Sequence, residues 1–151
     1  MGKTADFLSM LVATVFFIGT IPFAPGTLGT LAALAAVFLV RPAPAELLIA
    51  ACASIVAGTV CAGRASRLIK SRDPGQIVVD EFAGYLVSVS FLPLTPGYLV
   101  SAFFLFRLFD ILKPFPVGVI ERRITGGLGI MLDDIAAGLI TNLLLQIWRL
   151  F

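Results

Sequence analysis

The sequence predicts an all-α, polytopic membrane protein. Of its 151 residues, 59% are hydrophobic and only 13% are charged, and the mean hydropathy is +1.04. A soluble domain of this length cannot bury so much apolar surface. Six apolar stretches are separated by polar or Pro/Gly-containing breaks. This pattern is typical of successive helices in a bilayer, where every backbone polar group must find a partner within the protein.

The six stretches have helical composition, and most are shorter than the roughly 20 residues that cross a bilayer upright. We therefore expect about three to six membrane helices, some of them re-entrant or interfacial, in a single membrane-embedded domain formed by residues 1–151. In chain order the stretches are residues 7–21, 28–40, 47–62, 82–94, 98–112 and 135–151.

Basic residues are concentrated in two of the connections, and they predict the orientation of the chain. The first group is Arg64, Arg67, Lys70 and Arg72, and the second is Lys113, Arg122 and Arg123. The positive-inside rule places both groups in the cytoplasm. By alternation we expect residues 24–30, 64–81 and 113–134 to share that face. The uncharged turn at residues 95–97 then lies on the other side.

The residue types that are missing narrow the chemistry. The chain has no histidine, which excludes the usual base near neutral pH, histidine zinc sites and Ser/His or Cys/His pairs. Hydrolysis would therefore depend on carboxylates. Cys52 and Cys61 are about 13 Å apart along one helix, too far for a disulfide. The net charge of +2 is too small to indicate a nucleic-acid partner.

Two pairs of adjacent carboxylates, Asp80-Glu81 and Asp133-Asp134, stand at the start of apolar stretches. Adjacent charges at a membrane boundary lose hydration and repel each other, and a divalent cation would offset both costs. Magnesium prefers such oxygen ligands and often shares its coordination with a substrate phosphate. The alternative is that Asp80 and Asp133 only cap helices. Two such pairs on one face favour the metal site.

A charged stripe precedes the second basic connection. Arg107, Asp110 and Lys113 are spaced three residues apart, so they share one side of a helix that Pro114 ends. The two cations would bind phosphate oxygens, and Asp110 would act as a metal ligand or a base. The alternative is a ladder of ion pairs that neutralises itself.

Two glycine-containing segments precede apolar helices. Thr27 and Thr30, within residues 25–30, would bind phosphate beside free backbone N–H groups; the alternative is a turn with a threonine N-cap. Residues 126–129, Gly-Gly-Leu-Gly, either bring backbone close to a ligand or bend the chain. Each segment is a weak signal by itself.

Taken together, four motifs resemble the phosphatidylglycerophosphatase A family. They are PGTLGT at 25–30, IVVDEFAG at 77–84, FRLFDILKPFP at 106–116 and GGLGIMLDDIAAG at 126–138. The resemblance covers nearly the whole chain in matching order and spacing. One departure is that the residues before Pro22 are less rich in glycine than this family suggests.

The resemblance implies a Mg²⁺-dependent, helical phosphatase of the bacterial inner membrane, with a cytoplasmic active site. It would hydrolyse the terminal phosphate of the phospholipid phosphatidylglycerophosphate to give phosphatidylglycerol. The nucleophile would be water or an aspartate. The implied catalytic residues are Asp80, Glu81, Asp110, Asp133 and Asp134, of which Asp80, Glu81, Asp133 and Asp134 bind the metal. The implied substrate-binding residues are Thr27, Thr30, Arg107 and Lys113.

Two other functions fit parts of the sequence. An ion-coupled transporter would also carry intramembrane carboxylates, but it predicts them near the middle of spans, whereas here they stand near predicted span ends. A phosphatidyl-group transferase would also use magnesium and acidic residues. Its Asp-Gly-x-x-Ala-Arg signature is absent from the sequence.

Overall fold

The structure is a computed structural model that describes residues 2–70 and 74–151. Arg72, one of the basic residues that predict the orientation, lies outside the described residues. Within them the chain forms helices and no strand, so the predicted all-α class is confirmed. The helices are α1 (Lys3–Ala13), α2 (Pro25–Val40), α3 (Pro44–Ile69), α4 (Val79–Val89), α5 (Pro96–Leu112), α6 (Val117–Arg123) and α7 (Gly126–Trp148).

Two of the described helices, α3 and α7, are long and apolar enough to cross a membrane. Helix α3 has 26 residues, about 39 Å at 1.5 Å per residue. The shorter helix α2 is also apolar. Large apolar side chains point outward along the bundle, including Leu39, Val56, Phe104 and Trp148. With the composition, these surfaces identify a membrane protein.

The two basic connections lie at one end of the bundle. The backbone of Gly127, at the start of α7, lies directly against that of Gly63, in the last turns of α3. At the other end, Arg149 Nη1 is 3.4 Å from the carbonyl oxygen of Phe91. Residues 64–70 and 113–126 are therefore on the same side of the protein, opposite the turn at residues 95–97.

Helix boundaries follow local chemistry. Proline occupies the first position of α2, α3 and α5, where its missing N–H has no helical partner to lose. The same three helices end at residues in the left-handed conformation, namely Arg41, Lys70 and Lys113.

The first apolar stretch is helical over a shorter range than predicted. Helix α1 ends at Ala13, where the Thr14 hydroxyl donates to the Met10 carbonyl and accepts the Phe17 N–H at 3.0 Å. Phe17 has a φ of 66°, which a continuing helix cannot accommodate. The chain then turns back, and Gly19 packs tightly against the backbone of Gln76.

Helix α4 occupies the centre of the bundle and packs against α2, α3, α5 and α7. It has only 11 residues. The amide of Asn142, on α7, donates to the carbonyl oxygens of Ser88 at 3.0 Å and Ser90 at 2.7 Å. A polar side chain thus satisfies the end of a helix that stops inside an apolar environment. Its other end carries the first carboxylate pair into the bundle.

Candidate active site

A cavity of about 480 Å³ opens beside the starts of α4 and α7. The connection between α5 and α7 closes it on one side. Within residues 2–70 and 74–151, its ionisable lining residues are mostly carboxylates, with two cations among them: Asp80, Glu81, Asp110, Glu121, Asp133, Asp134, Lys113 and Arg122. The structure therefore brings all five sequence-predicted acidic residues to one cavity.

Three of these carboxylates form a tight group. One oxygen atom each from Asp80, Glu81 and Asp134 can be chosen so that all three lie within 4.8 Å of one another. Asp80 and Asp134 are buried. Both carboxylate pairs were predicted to bind the metal, and the structure places Asp134, but not Asp133, in the group with Asp80 and Glu81. Asp133 stands next to it as a separate lining residue, and its role as a metal ligand stays a prediction.

The carboxylates do not act as helix caps. The N-cap of α4 is Val78, and in the part of the chain that the structure describes no side-chain hydrogen bond caps that helix. Helix α7 begins at Gly126, nine residues earlier than the apolar stretch from which it was predicted. Asp133 and Asp134 are therefore about two turns inside α7, where carboxylates cannot cap the helix. The capping alternative is not realised at either pair.

Close packing of two glycines brings α4 and α7 together behind the site. Gly84 lies one turn beyond Asp80, and Gly138 one turn beyond Asp134. A β-carbon at Gly84 would be 2.8 Å from the carbonyl oxygen of Asp134, and one at Gly138 would collide with the Gly84 carbonyl group. Small residues at such a crossing let helix backbones approach closely. The close approach of the two backbones sets the distance between the carboxylates of α4 and those of α7.

Several carboxylate oxygens in the site are buried without a partner in the part of the chain that the structure describes. They are Asp80 Oδ1, Glu81 Oε2, Asp133 Oδ1 and Asp134 Oδ2. Unpaired buried carboxylate oxygens are costly, because they have lost water and gained nothing in exchange. A divalent cation with a preference for oxygen ligands would satisfy them. The residues present therefore fit a metal ion.

Arg107 faces the carboxylates rather than the cavity. Its Nη1 atom pairs with Asp110 Oδ2 and is 3.7 Å from Glu81 Oε1. Arg107 is not among the lining residues. The i,i+3 ion pair that was the alternative to phosphate binding is thus present at Arg107 and Asp110. In this structure Arg107 neutralises Glu81 and Asp110 from outside the cavity lining.

Lys113 lies in the cavity and contacts two carboxylates. Its Nζ atom is 2.9 Å from Asp133 Oδ2 and 2.6 Å from Glu121 Oε1. Burial alone would lower the pKa of Lys113, but hydrogen bonds to Asp133 and Glu121 and their negative charges raise it above its ordinary value. The side chain therefore carries its positive charge inside the site.

The glycine and threonine segment at residues 25–30 reaches the site through Gly26 and not through Thr30. The Thr30 hydroxyl is buried and donates to the Gly26 carbonyl oxygen at 2.9 Å. Neither Thr27 nor Thr30 lines the cavity, and Ala24 is the N-cap. A β-carbon at Gly26 would collide with the carboxylate of Glu81 and lie 3.2 Å from Arg107 Nη1. Gly26 thus makes room for the acidic group.

Glu121 was not predicted as a site residue, and Arg122 was predicted only as part of a cytoplasmic basic group. Both are on α6, a helix of seven residues that folds back over the cavity. Glu121 follows Lys113 by eight residues, which is not a spacing that predicts contact within one helix. The contact arises because the chain reverses at Pro114–Pro116. The three charges in a row at residues 121–123 were the available signal.

The fold and the cavity define a helical membrane protein with a buried acidic site beside a fixed positive charge. The family model described as Phosphatidylglycerophosphatase A matches residues 11–149. The chain belongs to this family and is a phosphatase.

Curated relatives cover most of the chain. A Phosphatidylglycerophosphatase A from Escherichia coli is 36% identical over 87% of this chain and 77% of its own. One from Haemophilus influenzae is 35% identical over 93% of this chain and 90% of its own. A Bacteroides thetaiotaomicron protein named "Putative phosphatidylinositol-3-phosphatase" is 36% identical over 97% of both chains. No solved structure matches the chain.

Proposed function

We propose that this protein hydrolyses the terminal phosphate monoester of phosphatidylglycerophosphate, giving phosphatidylglycerol and inorganic phosphate in phospholipid synthesis. The observation that carries the proposal is the group of buried carboxylate oxygens that have no partner among the described residues and lie beside the charged Lys113. The names of the two relatives from Escherichia coli and Haemophilus influenzae supply the substrate.

Magnesium is the metal we propose for the site. Asp80, Glu81 and Asp134 would hold it, with Asp133 as a further predicted ligand. These donors are all carboxylate oxygens, a set that suits a hard cation. When bound, the ion would offset negative charge on the phosphoryl group during hydrolysis.

The chain's own residues would position the phosphate and the nucleophile. Lys113 has three N–H donors, two of which meet carboxylates, so within the described residues one is left for a phosphate oxygen. Asp110 or Asp133 would orient a water and accept its proton. The new bond joins that water oxygen to phosphorus, the bond from phosphorus to the glycerol oxygen breaks, and the proton returns to the leaving oxygen. An aspartate nucleophile would need a second hydrolysis.

We propose that the cavity faces the cytoplasm in a bacterial inner membrane. The basic residues at 64–70 and 113–123 surround the same end of the bundle as the cavity, and the positive-inside rule assigns that end. The domain would comprise residues 1–151 and contact the bilayer around its sides.

A phosphoinositide is the second candidate substrate. The Bacteroides thetaiotaomicron relative, which matches this chain over nearly its whole length, is named "Putative phosphatidylinositol-3-phosphatase". Both lipids present a phosphate monoester, so the same carboxylates and Lys113 would serve either reaction. The headgroup is what differs.

Phosphate release from defined lipids in detergent micelles tests both candidates. We expect rapid release from phosphatidylglycerophosphate with magnesium, little release after chelation, and slower release from phosphatidylinositol 3-phosphate. The matched control is Asp134→Asn, purified identically. Phosphate release by this variant measures the activity of contaminating phosphatases, which is subtracted from that of the wild type. Faster release from the phosphoinositide would transfer the proposal to that lipid, and no release from either would overturn it.

A further inference from the structure

Glu121 carries a contact that the proposed chemistry does not use. Its carboxylate accepts a hydrogen bond from Lys113 Nζ at 2.6 Å, and the same Nζ atom also donates to Asp133 at 2.9 Å. Glu121 also lines the cavity. Its side chain is 43% exposed, whereas that of Asp133 is 9% exposed. Glu121 therefore lies on the more open side of the cavity, and Asp133 on the deeper side.

Two carboxylates from different helices fix the position of one ammonium group. Asp133 belongs to α7, which forms part of the bundle, while Glu121 belongs to α6. Lysine has a long, flexible side chain, and ordering it costs conformational entropy. Contacts from two sides restrict the Nζ atom more than one contact does. The third N–H donor then has a defined direction.

We propose that Glu121 is a positioning residue that holds the Lys113 ammonium in place to bind the phosphate group of the substrate. The inference rests on the proposed function only in assigning a phosphate contact to Lys113. Glu121 itself need not touch the substrate. It acts through Lys113, and α6 is the element that brings it there.

The charge of the cavity supports this assignment. Among the lining residues that the structure describes, the carboxylates outnumber the two cations, Lys113 and Arg122. An anionic substrate therefore meets a mainly negative site, in which a mobile ammonium would move toward whichever carboxylate is nearest. Holding Lys113 between Glu121 and Asp133 balances those attractions. Of the two carboxylates that Lys113 Nζ contacts in the described part of the chain, loss of Glu121 leaves only Asp133.

A double-mutant cycle tests the coupling between Glu121 and Lys113. The measured quantity is the binding of inorganic phosphate, the product of any phosphatase reaction, by calorimetry with magnesium present. We expect Glu121→Gln to weaken phosphate binding about tenfold in the wild-type background and at most about twofold in a Lys113→Met background. Glu121→Asp keeps the acceptor and should bind within about threefold of wild type.

A matched control variant and a separate activity assay distinguish failure of the Glu121–Lys113 coupling from failure of the proposed substrate. Arg123→Gln changes an exposed charge on the same helix that does not line the cavity, and it should bind phosphate like wild type. Equal losses from Glu121→Gln in both backgrounds, no loss at all, or no phosphate binding by wild type would each overturn the inference. Failure to hydrolyse phosphatidylglycerophosphate, with the coupling intact, would instead overturn only the proposed substrate.

Discussion

Gly84 on α4 lies against Gly138 on α7, so closely that a β-carbon at Gly138 would be 3.2 Å from the carbonyl carbon of Gly84 and closer still to its oxygen. Each glycine stands one helical turn beyond a carboxylate of the buried group, Asp80 or Asp134. The crossing therefore determines how near those carboxylates come to one another.

Gly138→Ala should separate α4 from α7. Neither backbone can give way cheaply, so we expect a loss of about 1–3 kcal/mol in unfolding free energy and a fall in activity of about tenfold or more from misplaced carboxylates. Denaturant unfolding in detergent and a phosphate-release assay measure the two effects. The control is Gly97→Ala, where a β-carbon would meet nothing within 4 Å. Equal behaviour of the two variants would show that the crossing tolerates a methyl group.

Arg107→Gln should destabilise the protein through the carboxylates it leaves behind. Glu81 and Asp110 both face the Arg107 guanidinium, and all three side chains are largely buried. Removing the guanidinium leaves two buried carboxylates without their cation, which lowers the free energy of unfolding by about 3 kcal/mol. Arg67→Gln, at an exposed position on α3, is the matched control. If Arg107→Gln unfolds at the same denaturant concentration as Arg67→Gln, the ion pairs contribute little to stability.

Single cysteines on a background without Cys52 and Cys61 should report the orientation. We expect Gly75→Cys and Arg123→Cys to resist a membrane-impermeant thiol reagent in intact cells, and Thr95→Cys to react. All three positions are exposed in the structure. Permeabilised cells provide the control for reactivity. Labelling of Gly75→Cys or Arg123→Cys from outside would place the cavity on the opposite face.

The helices and the convergence of the acidic residues could be predicted because hydropathy and charge are local properties. Apolar stretches indicate the helix class, and the basic connections are enough to place Asp80 and Asp133 on one face. Long-range contacts then decide the details. The sequence could not show that Asp134, and not Asp133, joins Asp80, because that depends on the rotation of α7 against α4.

The start of α7 shows why boundaries were harder to predict. Glycine has low helix propensity, and residues 126–129 were interpreted as a close approach to a ligand or as a bend before the last helix. In the structure Gly127 packs against the backbone of Gly63 on α3, where a β-carbon would not fit. This tertiary contact compensates for low propensity. Thr30 is a second example. The sequence predicted that its hydroxyl binds phosphate, but the hydroxyl donates to the Gly26 carbonyl oxygen. This hydrogen bond forms because α2 already begins at Pro25, which the sequence pattern did not show.

Magnesium should stabilise the wild-type protein and not the Asp134→Asn variant. A ligand that binds only the folded state raises its stability by mass action, and the unpartnered oxygens provide the binding group. In chelator, Asp134→Asn should melt at the same temperature as wild type or higher, since it removes one charge from a repelling group. Thermal unfolding with and without magnesium measures this. Sodium chloride at matched ionic strength is the control for screening.

An equal rise in melting temperature for wild type and Asp134→Asn would mean that magnesium binds elsewhere. An equal rise in melting temperature with sodium chloride alone would mean that magnesium acts only by screening charge. Either result would remove the cluster of Asp80, Glu81 and Asp134 as the metal site.

Whether Asp80 and Asp134 hold the catalytic metal is decided by the rate of phosphate release from Asp80→Asn and Asp134→Asn, measured against magnesium concentration. Both substitutions keep side-chain size and remove one anionic ligand. If these carboxylates hold the catalytic metal, each variant should release phosphate from phosphatidylglycerophosphate at least about a hundredfold more slowly than wild type. Raising magnesium should restore part of the rate where affinity alone is reduced. Release within a few-fold of wild type by both variants, at limiting and at saturating magnesium, would contradict the account.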